Sequence, residues 1–117
     1  MNWSRIAASL LGLAVILGAF GAHGLKDRLD AYQMGIYEKA VFYHFIHGIG
    51  MLIAATAPNV AKASRQRVCG LFAVGILLFC GSLYALALSG VTILGAITPL
   101  GGVAFIAAWF FLACSLS

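Results

Sequence analysis

Two imidazoles stand three residues apart in a stretch that is uncharged after its first two residues, Glu38-Lys39-Ala40-Val41-Phe42-Tyr43-His44-Phe45-Ile46-His47-Gly48. On a helix, positions i and i+3 share a face, so His44 and His47 point the same way. Three uses suit such a pair. It could hold a metal, with His23 as a third ligand, since neutral imidazole nitrogens are common metal ligands. It could pass a proton or line a solute path, because imidazole titrates near neutral pH and intramembrane ionisable groups often mark pathways. Or it could simply hydrogen-bond between helices. No carboxylate or Cys sits at ligand spacing beside the histidines, and the only acids are Asp27, Asp30 and Glu38, at the edge of the run. No catalytic residue and no cofactor is therefore assigned, and no nucleotide loop, Ser/His/Asp order or nucleic-acid motif occurs.

The elements that position these residues follow from hydropathy. Of 117 residues, 63% are apolar and 9% charged, and the mean hydropathy is +1.05. All ten charges precede Val68. The uncharged remainder has room for two membrane spans of roughly 20 residues and a hairpin. The composition is that of an integral membrane protein, all-α, with four transmembrane helices in one up-down bundle.

The first span is expected over residues 5–22. Its start resembles a signal peptide, but we expect it to be retained, since its loss would leave three spans. It is rich in Ala and Gly, which permit close helix contact. Leu25, Leu29, Tyr32 and Ile36 then recur at helical spacing among charges, which suits a short interfacial amphipathic helix or a polar loop limited by Gly35. The second span covers 38–57, with Glu38 in its first turn near the positive end of the helix dipole and Pro58-Asn59 as its stop. It presents Ala40, His44, His47, Gly48, Met51 and Ala55 to the bundle, and Phe42, Phe45, Ile46, Ile49, Leu52 and Ile53 to lipid. The third span covers 68–88, with a small or polar stripe of Gly70, Ala73, Leu77, Gly81, Tyr84 and Leu88, and Ser89-Gly90 as its stop. The fourth covers 98–116, with Thr98 as N-cap and Pro99 in the first turn. The apolar connection 91–97 should lie at the interface or fold back on the bundle.

In an up-down bundle, His23, His44, His47, Ser82, Tyr84, Thr98, Gly101 and Gly102 gather in one half, and His47 should face Tyr84 or the start of the fourth span. Cys69, Cys80 and Cys114, far apart and in apolar runs, read as buried small hydrophobes. Trp3 reads as an interface anchor and Trp109 as packing.

Four segments together resemble a known family. They are GAFGAHGL (Gly18–Leu25), FYHFIHGIGML (Phe42–Leu52), GSLYALALSG (Gly81–Gly90) and LGAITPLGGVAF (Leu94–Phe105). They are similar, in order and over nearly the whole length, to the small inner-membrane proteins of the YgdD-like and YwdK-like family, which has a small eukaryotic transmembrane relative. The resemblance implies four helices and the bacterial inner membrane, and no established activity. His47 falls on the family motif, whereas many members carry Gln at position 44.

The residues favour a structural or accessory subunit of a membrane assembly, self-associating or docked on a larger complex. A small transporter or channel passing protons or a solute through the His/Tyr-lined half is the alternative, with metal binding behind it and an enzyme last. The expected partners are the lipid bilayer and, at Lys62, Arg65 and Arg67, anionic head groups; no nucleic acid is implied. Arg5, Lys62, Arg65 and Arg67 fall on one side and Lys26, Arg28 and Lys39 on the other, so both termini are expected in the cytoplasm. A Cys introduced at Ala63 should then resist membrane-impermeant labelling in intact cells, while one at Asp30 is labelled. Labelling of Ala63→Cys from outside would reverse the orientation.

Overall fold

The computed structural model describes residues 1–116. Helix α1 runs Trp3–His23 and α2 runs Ala31–Thr56. Next come α3 (Lys62–Gly75), a π-helical segment (Ile76–Cys80) and α4 (Gly81–Ser89), which join end to end as one 28-residue rod. A 3-10 turn (Thr92–Ala96) leads into α5 (Thr98–Ser115). Four helical rods thus make up the fold, with no strand among the described residues. The longest dimension is 47 Å, close to the thickness of a bilayer with its head groups. Three rods are long and apolar enough to cross a membrane: Trp3–His23, Lys62–Ser89 and Thr92–Ser115.

The capping chemistry explains where α2 begins, and it corrects one expectation. The Asp30 carboxylate accepts from the Gln33 N–H at 2.7 Å, and the Gln33 side-chain oxygen accepts from the Asp30 N–H at 3.2 Å. This reciprocal pair satisfies two backbone donors at the helix start. The helix consequently begins a full two turns before Glu38, which lies within it and not in its first turn. No separate interfacial helix forms: Leu25 and Leu29 belong to turns, while Tyr32 and Ile36 are already on α2. Gly35 is tolerated because it sits exposed on a helix whose ends are secured on either side. Gln33 also donates to the Ala87 carbonyl at 3.1 Å, tying the start of α2 to the end of α4.

At the other end, the Arg65 guanidinium donates to the Ala57 and Val60 carbonyls, both at 3.0 Å, and so closes the loop after α2. Trp3 Nε1 donates to Gln66 at 3.0 Å, joining the starts of α1 and α3. Gly90 ends α4 in the left-handed region at φ 73°, a conformation in which a Cβ is strained.

The buried face of the 28-residue rod is not the stripe of small residues. Cys69, Phe72, Ile76, Cys80, Leu83 and Ala87 face inward, each one residue before an expected position. Leu77 is 71% exposed and Leu88 54%. Two features of the packing account for this. The interior accepts full-sized side chains, and the glycines that matter are the ones opposite them. Phe105 of α5 lies over Gly75, where a Cβ would overlap its ring. Gly101 of α5 abuts the backbone of Phe79 in the π segment, where a Cβ would overlap the Phe79 nitrogen.

Thr98 likewise departs from the expected cap. It is the first residue of α5, Ile97 stands at the cap position, and no side chain caps the helix. Of the cysteines, Cys69 and Cys80 are buried and Cys114 is exposed, so the third is not a core residue.

Gly101→Ala should destabilise the detergent-solubilised protein by about 1–3 kcal/mol, as overpacking of a closed contact does. Gly81→Ala meets no atom within 4 Å and should be neutral or stabilising by up to about 1 kcal/mol from helix propensity. Thermal melts of the two variants check this, and equal losses would restore Gly81 to the helix interface.

Candidate functional site

Because α2 starts at Ala31, His44 and His47 lie about 20 and 24 Å along a helix about 39 Å long. They are mid-bundle residues, not residues of one polar end. Both are buried, at 2% and 6% exposure, on the stripe expected from their spacing, but they face different neighbours.

His44 meets α4. Its Nδ1 lies 2.9 Å from the Tyr84 hydroxyl. The expected neighbour of Tyr84 was His47; the two histidines, a turn apart, are instead served by different helices. Tyr84 packs edge-on against Tyr37 with ring centroids 5.4 Å apart, and the Tyr37 hydroxyl donates to the Leu17 carbonyl of α1. His44 Nε2 is buried and makes no hydrogen bond.

His47 meets α5. Its Nδ1 lies 2.8 Å from the Tyr43 carbonyl, one turn back on α2. A carbonyl only accepts, so Nδ1 carries the proton and donates. The ring stacks on Phe105 with centroids 3.6 Å apart and planes 11° from parallel. Phe72 and Trp109 complete the surround at 6.0 and 5.8 Å. Phe105 lies two turns into α5, well past the Thr98 end where His47 was expected to point.

Ser82 and Thr98 form a third, separate polar pair. Their hydroxyls are 2.5 Å apart. Ser82 also donates to the Phe79 carbonyl at 3.0 Å. A hydroxyl has one proton, so Thr98 is the donor between them. This pair fastens α5 to α4 beside the close contact of Gly101, while Gly102 is half-buried and a Cβ there would meet only the edge of the Phe79 ring. His23 is exposed at the end of α1 and does not join the other imidazoles. No group of three or more His, Cys, Asp or Glu able to hold a metal occurs among the described residues.

The sequence-based candidates omitted Tyr37, Tyr43, Phe72 and Phe105. Tyr37 was legible: it stands one heptad before His44, on the same stripe as Ala40. Placing the helix start at Glu38 hid it. Phe105 carries no such signal, since every face of α5 is apolar.

The profile of a family described as "Protein of unknown function (DUF423)" matches residues 17–102. Among curated proteins, the chain is 48% identical over 100 residues to a UPF0382 membrane protein of Staphylococcus epidermidis, covering 86% of this chain and 82% of the relative. It is 46% identical over 99 residues to the UPF0382 membrane protein YwdK of Bacillus subtilis, covering 83% and 80%. No solved structure matches. The match over residues 17–102, with the order and extent of these likenesses, means that the chain belongs to the DUF423 family of proteins of unknown function, whose relatives here are membrane proteins.

Proposed function

We propose that this protein is a structural or accessory subunit of an assembly in the inner (plasma) membrane, crossing it with all four rods as an up-down bundle. Helix α2 is the fourth span in this reading. Its length of about 39 Å exceeds the roughly 30 Å hydrocarbon core, its histidines and charges lower its hydropathy, and Phe42, Ile49 and Ile53 form an exposed apolar stripe along it. Both termini are cytoplasmic, with exposed Lys62 and Arg67 at anionic head groups, and copies of the chain or a larger partner cover part of the lipid-facing surface.

The observation that carries the proposal is the pairing of polar groups across helix interfaces. His44 with Tyr84, Ser82 with Thr98 and Tyr37 with Leu17 each join two rods, and the fourth group, His47, stacks on Phe105 of α5. Such pairs hold helices together in lipid, where each contributes about 0.5–2 kcal/mol. Native mass spectrometry from lipid nanodiscs tests the accessory role. A second copy or a stoichiometric partner is expected, and a monomer at every concentration would sink it.

A second reading is favoured by one specific observation, the unpartnered Nε2 of His44. Beside Tyr84 and Tyr37, it could pass a proton or a small solute through this half of the bundle.

Substitutions separate the two. A Gln at position 44 can still pair with Tyr84, because an amide donates and accepts. His44→Gln should therefore melt near the parent protein, while His47→Gln, which forfeits the ring stack, should lose about 0.5–1.5 kcal/mol. Proton flux into proteoliposomes, read with a pH-sensitive dye, should be the same for parent, His44→Gln and empty vesicles. Flux in the parent that His44→Gln abolishes with assembly intact would favour passage, because an amide does not titrate near neutral pH.

A further inference from the structure

Between α1 and α2, away from the histidines, lies a cleft of about 520 Å³. Its α1 wall is built of Gly18, Gly21 and Ala22, and its α2 wall of large residues, chiefly Phe42 and Phe45. Small residues on one helix facing aromatic rings on the other leave a gap that neither helix fills. The Tyr37 ring closes it from below by lying against Gly21, where a Cβ would overlap it. Phe42 is 59% exposed and belongs to the lipid-facing stripe of α2, so the cleft opens towards acyl chains.

Two charges of opposite sign line the same cleft: Lys26, in the turn after α1, and Glu38, two residues before the uncharged run of α2 begins at Ala40. Both are exposed. A free acyl chain would require neither charge, and a purely anionic head group would be repelled by Glu38. A head group with a phosphate beside a primary ammonium complements both. The ammonium donates hydrogen bonds to the carboxylate, and the lysine donates to the phosphate.

We propose that this cleft is a binding site for a phosphatidylethanolamine-type lipid, with an acyl chain between α1 and Phe42–Phe45, its phosphate at Lys26 and its ammonium at Glu38. A phosphatidylcholine has the same charges but a quaternary ammonium without an N–H, so Glu38 discriminates between the two. This site is independent of the subunit role proposed above.

The test is lipid retention by the full chain. The protein is exchanged into mixed micelles holding equal mole fractions of phosphatidylethanolamine, phosphatidylcholine and phosphatidylglycerol, and bound lipid is counted by native mass spectrometry. Phosphatidylethanolamine should be retained up to about fivefold over phosphatidylcholine, the scale of one exposed charged contact. Glu38→Gln should erase that preference, lowering phosphatidylethanolamine retention more than phosphatidylcholine retention. Lys26→Gln should lower retention of all three lipids. Ala22→Trp, at an exposed position on the cleft wall, should abolish retention, with a thermal melt matched to the parent showing that the fold is intact. Equal retention of the three lipids by the parent, which is annular solvation only, would overturn the proposal. So would a preference for phosphatidylglycerol, or an ethanolamine preference that survives Glu38→Gln.

Discussion

A polar side chain at the middle of a bundle set in hydrocarbon has no water to turn to, and it must find its partner in protein. That constraint arranges α2 and everything around it. His44 reaches across to α4, Tyr37 reaches back to α1, and His47 turns its donor onto its own helix and its ring onto α5. Helix α2 packs along α1 and along the 28-residue rod, which in turn carries α5, and its polar or aromatic side chains reach all three. The remaining surface is free to be plain: Leu77, Val103 and Phe110 are each more than half exposed, and they ask nothing of their surroundings but lipid.

The π segment meets the same need by a different route. A π turn widens the helix and changes which residues face inward, and such turns recur at functional sites. Here it places Phe79 where the backbone of α5 can come within contact at Gly101, and where the Ser82 hydroxyl can take up the Phe79 carbonyl. Close backbone approach and hydroxyl pairing are thus coupled at one point. Glycine gives the proximity, and the Ser82–Thr98 pair gives the direction. Neither suffices alone, because a hydroxyl pair across a wide interface would be out of reach, and a bare glycine contact would not fix the rotation of α5.

Much of this was legible in the sequence, and what was not has physical reasons. The helical class, the membrane character and the inward face of His44 and His47 follow from charge distribution and periodicity, which are properties of one helix at a time. The start of α2 was misplaced because hydropathy sees Glu38-Lys39 as a boundary, whereas the capping box of Asp30 and Gln33 sets the boundary earlier. The inward face of the 28-residue rod was misplaced by one residue because small residues were taken as the sign of contact. In this bundle the small residue often sits on the facing helix, as Gly101 does opposite Phe79. Which partner each histidine finds depends on the rotation of three rods together, and a rod as uniformly apolar as α5 carries no mark of its own rotation.

The two histidines differ in what their neighbours require of them. At position 44 the contact across the interface is a single polar atom on the Tyr84 hydroxyl. Any side chain of similar reach with a hydrogen-bonding end can make it. At position 47 the contact is the face of the ring, flat against Phe105, and its polar atom serves only the helix it stands on. Shape decides there, and hydrogen-bonding capacity is secondary. An imidazole is nonetheless better suited than phenylalanine, because its ring lies flat on Phe105 while its Nδ1–H occupies the Tyr43 carbonyl. The pair that invites a metal or proton reading by its spacing is thus two residues with separate partners and separate constraints, which is how adjacent turns of one helix come to hold two different neighbours.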